Sequence, residues 1–528
     1  MKRTPIERFL GLFTEVRPGE GTTALLMFAN VFLILSAYYF VKPLREGWIA
    51  ISGFEGLTKM EVKAYTSFAQ SLVLLFVVAG YARLSDRVPR ATLITYATAF
   101  CMTNLVGFWF LQPNFFLEHL PGTGVLFYLW VGMFGVFIVA QFWAFAADLY
   151  TQERGERLIP LIAIGATAGA ACGAGMTDWL VDLGIVSSKF LLLAALVPLT
   201  ASIVLTRIVD RREDIGTQTA QGAGSAPEPP REKPPPDGRS ALGVIVGSRY
   251  LLAVAFITLL TNWVNTNGEN LLFGVMQESL AAEAAAAGIT DPAEVLEFTQ
   301  DGTTQFYGGF FFWVNICALF LQSIVASRLL KYGGFAVSLL LLPVIALVSY
   351  SAMAFVPILA VVRTMKIAEN ATDYSINNTA RHVLWLPVSA ADKYKGKPAI
   401  DSLFVRIGDG LAALTVLVGV QVLSLSNSGY FAFTVFLTLA WLVGGAYVAR
   451  KHRELSSCRG GGTGPQLAGT ITGNADAPAR DDDAGGRAGP RRVVPRTARG
   501  PGVQHRPRRM GARPGARRSR PRAPVDHH

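Results

Sequence analysis

The feature that most constrains this chain is the length of its apolar runs. Thr22–Val41, Ala64–Arg83, Ala91–Leu111 and Leu126–Leu149 each approach or exceed the roughly 20 residues that cross a hydrocarbon core. One water-soluble globule cannot bury so many uninterrupted blocks. Only 16% of the residues are charged, against about a quarter in ordinary soluble chains. The sequence therefore predicts an all-α integral membrane protein. Twelve spans are expected, at 22–42, 64–84, 91–112, 124–149, 158–181, 187–208, 248–275, 304–328, 335–353, 355–385, 398–425 and 430–449.

The spans fall into two sets of six. Residues 1–208 form the first half and 248–453 the second, separated at 209–247 by a linker with the Pro-rich run Pro227–Asp237. Its Pro, Gly and charge content marks a solvated connection and not a domain. Residues 454–528 are dominated by Gly, Arg, Ala and Pro, cannot build a core and are expected to be disordered. The halves echo one another. Ala82-Arg-Leu-Ser-Asp-Arg-Val-Pro-Arg90 resembles the short motif between the second and third helices of the major facilitator superfamily, and Ser327-Arg-Leu-Leu-Lys-Tyr-Gly-Gly334 is a weaker copy. Parallel six-helix repeats are the usual build of that class.

Orientation follows the distribution of Lys and Arg. One side holds Lys2, Arg3, Arg8, Arg83, Arg87, Arg90, Arg154, Arg157, Arg328, Lys331, Lys393, Lys395 and Lys397. The other has few cations, with Lys59, Lys63 and Lys189 as exceptions. Both termini are thus expected in the cytoplasm, which requires an even number of spans. The net charge of +11 is misleading, because Arg450–His528 alone holds 18 Lys+Arg and 6 Asp+Glu, and the rest sums to −1. Nucleic acid is not an expected partner of the membrane body. The four cysteines show neither a disulfide framework nor metal-ligand spacing, so no metal and no cofactor are expected. No obligate protein partner is expected either.

Ionisable residues inside spans are costly, at least about 2.5–3.5 kcal/mol on insertion scales, and are functional candidates by default. The first helix ends Tyr38-Tyr-Phe-Val-Lys42-Pro-Leu-Arg45-Glu46. Lys42 and Arg45, three apart, share a face, and Arg can grip a phosphate or carboxylate with its fork. The alternative is that both snorkel to headgroups. The tenth helix carries Lys366, Glu369, Asn370 and Asp373 along one face, lining a path or forming a structural ion-pair ladder. The eleventh begins Lys395-Gly-Lys397-Pro-Ala-Ile-Asp401 and continues to Arg406 and Asp409. Pro398 suits its first turn, whereas Arg406 and Asp409 lie deeper than a cap requires. The seventh adds Asn262, Asn265, Asn267 and Glu269, which can glue helices together or hydrogen-bond a substrate.

The stretch Lys366…Asp373-Tyr-Ser…Arg381-His-Val-Leu-Trp-Leu-Pro…Lys395-Gly-Lys-Pro-Ala-Ile-Asp401…Arg406-Ile-Gly-Asp resembles the ATP/ADP translocase family of plastids and intracellular bacteria. The end of the first helix and Phe142-Trp-Ala-Phe-Ala146 are similar to further motifs of that family, and the likeness covers residues 20–450. The resemblance, to a divergent bacterial-type member, implies a multi-pass protein of the bacterial inner membrane. It implies a major-facilitator-like carrier that exchanges nucleotides, ATP against ADP, without hydrolysis. Arg45 and Lys397 fall on lysines important in the family, while two family glutamates fall on about Val131 and on Asn265.

Three functions follow as expectations. The first is secondary transport of a nucleotide or nucleotide-like anion. Lys42, Arg45, Lys366, Lys397, Arg406 and Asn265 would bind it, and Glu46, Glu269, Glu369, Asp373, Asp401 and Asp409 would line the pathway or couple transport. The second is a proton-coupled organic anion carrier, in which buried carboxylates titrate. The third is a membrane scaffold or sensor that keeps the fold without transport. No Gly-x-x-x-x-Gly-Lys-Ser/Thr loop indicates ATP-driven pumping, and no His-rich or Ser/His/Asp constellation indicates an enzyme.

Overall fold

The computed structural model describes residues 17, 19–85, 90–112, 121–150, 152–182, 190–221 and 240–460. Every expected span is mainly helical where described, with non-helical residues such as 111–112, 356–358, 384–385 and 422–425. In the first half these are α1 (Gly21–Ala50), α2 (Lys59–Ser85), α3 (Arg90–Phe110), α4 (Pro121–Leu149), α5 (Gln152–Asp182) and α6 (Leu196–Gln221). In the second, α7 covers Arg249–Ala286 and α8 covers Pro292–Phe320. Helix α8 continues through a π-helical turn, Leu321–Ala326, into Ser327–Phe355. Gly334, at φ 73, breaks that segment, and α9 is the part beyond. Helix α10 runs from Leu359 to Val383 through a π turn at Asp373–Asn377, α11 from Ala390 to Gln421 through another at Ile400–Phe404, and α12 covers Asn427–Gly460. The tail beyond 460, residues 222–239 of the linker and the Asp86-Arg87 core of the loop motif lie outside the described residues.

Among the described residues, seven helical segments are long and apolar enough to cross a membrane, one of them the bent Pro292–Phe355.

Several boundaries differ from the sequence reading, each for a local reason. Helix α1 does not stop near Pro43 but runs on to Ala50. Pro43 offers no N–H to the Tyr39 carbonyl four residues back, and Thr177 Oγ1 of α5 donates to that oxygen at 3.4 Å. Helix α11 starts earlier than Pro398, at Ala390, where the Ser389 hydroxyl accepts from the Asp392 N–H. Pro398 therefore lies inside the helix, just before its π turn. The acidic 277–300 connection is largely helical. Helix α7, 38 residues long, rises about 57 Å, well beyond a core of about 30 Å. It closes on Gly288 (φ +71), with Ile289 N–H bonded to the Ala284 carbonyl at 3.1 Å, the left-handed stop that glycine allows.

One core lies within the first half, and a second, centred on the second half, also takes in Tyr39, Ile49, Val62 and Ala174 of the first. In the first, α1 lies directly on α5, where a Cβ on Gly169 would sit 2.2 Å from the Phe32 carbonyl oxygen and one on Gly173 2.4 Å from that of Ser36. The second half centres on α7, with Leu271, Leu272, Phe273, Tyr350 and Phe431 fully or almost fully buried. Described contacts between the halves gather on the side away from the α1 start. There Gly47 meets Thr304, Gly308 meets Ala174 and Asp178, and Gln421 donates to Glu61 at 2.8 Å.

Candidate functional site

Three polar clusters occupy the interior, and the first joins α1 to α2 and to the second half. Glu46, 1% exposed, accepts from Arg45 Nε at 3.0 Å and pairs with Lys63 Nζ at 3.0 Å. Lys63 donates to Tyr307 Oη of α8 at 3.1 Å and to the Glu269 carbonyl of α7 at 3.4 Å. Its ammonium also sits 4.5 Å from the Phe273 ring centre. Arg45 stacks over Tyr128 of α4 at 4.2 Å. One buried carboxylate thus holds two cations, and aromatic faces receive the rest of their charge.

Lys42 is different. Its Nζ lies 3.8 Å from the Phe311 ring centre and 5.0 Å from that of Tyr39. Among the described residues no carboxylate pairs with it. Tyr38, Tyr39 and Phe311 form an aromatic wall beside it, with Tyr38 edge-on to Tyr39 at 5.4 Å and Tyr39 edge-on to Phe311 at 5.8 Å.

The second cluster surrounds Lys366, which is fully buried. Its Nζ donates to Glu369 Oε2 at 3.0 Å and Asn265 Oδ1 at 3.2 Å, with Glu269 Oε1 at 3.9 Å. Tyr350 donates to Glu369 Oε1 at 3.2 Å, and Asn370 to Glu269 Oε1 at 2.7 Å. Glu269 connects this cluster to the first through its own backbone carbonyl. The ladder expected on α10 exists, and α7 shares it. Asp373 stands apart, in the π turn, accepting from Asn377 at 2.6 Å.

The third cluster is centred on Asp409. It accepts from Asn262 at 2.6 Å, Thr266 at 2.9 Å and Arg406 at 3.1 Å, and from Ser71 of α2. Arg406 also donates to Ser71 at 3.0 Å. With every oxygen occupied, this cluster stitches α2, α7 and α11 together.

Lys397 and Asp401 join none of these. They line a separate cavity of about 180 Å³ with Asn378, Arg381 and His382. A larger cavity, of about 800 Å³, lies between the ends of α2, α7, α11 and α12, where Lys59 and Glu278 are its charged lining. Among the described residues no group of three His, Cys, Asp or Glu side chains could hold a metal ion.

Sequence reasoning missed Lys63, Tyr307, Tyr350 and Ser71. Lys63 did leave a signal, as one of the few cations on the cation-poor side.

No family model and no curated protein matches the sequence. Solved structures do match in shape. A POT family transporter in complex with 5-aminolevulinic acid superposes with a TM-score of 0.52 at 12% identity, covering 81% of this chain and 96% of that one. The human organic anion transporter MFSD10 (TETRAN) gives 0.51 at 12% identity, covering 81% of this chain and all of that one. A bacterial homologue of the human lysosomal transporter Spinster gives 0.46 at 13% identity, over 84% and 98%. At these identities the likeness concerns the fold. The chain has an all-α, major-facilitator-like membrane fold of two six-helix halves.

Proposed function

We propose that this protein is a secondary transporter that carries a nucleotide or nucleotide-like anion between its two halves by alternating access, in an ATP:ADP type of exchange. The observation that carries the reading is the state of Lys42. Arg45, Lys63 and Lys366 each have a buried carboxylate, while Lys42 has only aromatic rings. Lys42 is partly exposed, and an ammonium inside the membrane body with no paired carboxylate is free to engage a bound anion. Tyr38, the partly exposed member of the adjacent aromatic wall, offers a ring on which a nucleobase can stack. The halves touch opposite the α1 start, at Gly47–Thr304 and Gln421–Glu61, contacts that an alternating-access cycle would break and remake. Within this reading the cytoplasm faces the terminus side.

The test is uptake of labelled ATP, ADP and nucleoside monophosphates into proteoliposomes, with and without counter-substrate inside. Exchange that requires internal nucleotide and is lost in Lys42→Gln supports the proposal. Nucleotide uptake by the unaltered protein that persists undiminished in Lys42→Gln defeats it.

Proton-coupled transport of another organic anion is a second reading, favoured by the Glu269–Lys366–Glu369 cluster. A buried carboxylate beside a single buried ammonium can take up a proton as its neighbour's charge is engaged elsewhere. Uptake that follows a pH gradient and ignores internal nucleotide would select it.

A further inference from the structure

The start of α7 carries a feature that the anion chamber does not use. The short helix Ala241–Gly247 meets α7 at 106°, so with α7 crossing the membrane it lies along the surface. It buries Val244 and Ile245 and leaves Leu242 and Val246 exposed, as an interfacial helix does. Ser248 caps α7, accepting from the Leu251 N–H at 3.3 Å. The next residue is Arg249, an exposed cation in the first helical turn. A positive charge is unfavourable at that end of a helix, and no described carboxylate pairs with it. Lys451 of α12 stands near enough to feel its charge.

Below Arg249 runs an apolar groove of about 520 Å³ lined by Leu252, Ala253, Phe256, Leu259, Phe404 and Tyr447. Its floor exists because Gly444 lets α12 close on Phe256 and Ile257 of α7, with a Cβ there 3.1 Å from Ile257 Cγ2. Leu252, Phe256 and Tyr447 are each nearly half exposed. From Arg249 to Leu259 the helix rises about 15 Å, half of a core of about 30 Å. The groove therefore has the depth of one leaflet, with its cation at the headgroup level.

We propose that this groove holds one anionic phospholipid of the terminus-side leaflet. Its phosphate lies on the Arg249 guanidinium, while Lys451 stays paired with Glu454 at 2.7 Å, and an acyl chain follows Leu252, Phe256, Leu259 and Phe404. Phe404 belongs to the π turn of α11, so the lipid would pack directly on an irregular turn of that helix. The site is independent of the substrate reading.

Native mass spectrometry of the full-length chain, loaded with phosphatidylglycerol or phosphatidylcholine of identical acyl chains, tests this. Retention of phosphatidylglycerol should be favoured by about fivefold per cation engaged. Arg249→Gln, at an exposed position, should bring it down to the phosphatidylcholine level. Arg328→Gln, an exposed arginine at the end of α8, should leave the preference intact. Ala253→Trp should displace both lipids by filling the groove. Equal retention of the two lipids by the unaltered chain would overturn the proposal, as would a preference that survives Arg249→Gln. Displacement of the lipid by millimolar inorganic phosphate would also overturn it, since the acyl chain would then contribute nothing.

Discussion

Glu46 Oε2 of α1 lies 3.0 Å from Lys63 Nζ of α2, and Lys63 in turn donates to Tyr307 of α8, across the junction between the halves. The two partners of this ion pair are not equivalent. Glu46 retains Arg45 if Lys63 is removed, whereas removing the Glu46 charge strands two buried cations. Stranding a buried charge costs roughly 3–5 kcal/mol. Glu46→Gln should therefore lower thermal stability in detergent by about that amount, and Lys63→Met by clearly less. The double variant should be less damaged than the sum of the singles, because the groups share one network. Equal losses in the two single variants would show that Glu46 is not the hub.

Lys42→Gln should separate stability from transport. Its ammonium rests on two aromatic rings, so its loss should cost the fold only about 0.5–2 kcal/mol. A charge-assisted contact to a bound anion is worth about 1.5–3 kcal/mol. The Kd for the transported anion should thus weaken by about ten- to hundredfold, read by isothermal titration on the purified protein. A near-native melting temperature with lost binding is the expected pair of results.

The apolar blocks made twelve helices and two halves readable, because a spanning helix must satisfy all its backbone polar groups internally. Charge placement made the α10 ladder readable, since Lys366 and Glu369 are three apart on one helix. The Lys63–Glu46 pair was not readable, as it joins residues from different helices and depends on how α1 and α2 lie together. The passage of α1 through Pro43 was not readable, because the hydroxyl that serves the Tyr39 carbonyl comes from Thr177, 134 positions after Pro43. Asp409 read as a pathway residue from its depth. The structure gives it four partners, which suits a joint between helices. Lys397 matched a motif, yet its neighbours Arg381 and Asp401 surround a separate cavity.

Helix α1 can lie on α5 only where α5 lacks side chains. A Cβ on Gly169 would be 2.2 Å from the Phe32 oxygen and 2.7 Å from its Cα, atoms of a backbone that cannot move alone. Gly169→Ala should cost about 1–3 kcal/mol by forcing the helices apart. Gly107 of α3 is the control, since a Cβ there meets nothing within 4 Å. Gly107→Ala should instead be neutral or gain up to about 1 kcal/mol. Thermal unfolding of the two variants should show opposite signs.

At the start of α1, Glu20 accepts from both guanidinium nitrogens of Arg157 at 3.0 Å and from the Arg17 N–H at 3.0 Å, with Arg154 at 3.3 Å. Burial by itself raises its pKa, but the Arg157 and Arg17 hydrogen bonds and the two arginine charges outweigh burial and hold it below the ordinary carboxylate value of 4.5. A carboxylate depressed in the folded state binds its proton less readily there than in the unfolded chain. Its contribution is therefore fully present above the unfolded pKa and disappears as pH falls through the folded one. Thermal stability of the unaltered protein should be flat with respect to Glu20 from pH 7 down to about 5 and should decline below that. Glu20→Gln should be less stable at pH 7, where it loses the charge-assisted contacts to Arg157 and Arg154, and the difference between the two proteins should shrink in acid. Melting curves from neutral to acid pH in one detergent measure that difference, and a constant gap would show that the carboxylate charge does not hold α1 against α5.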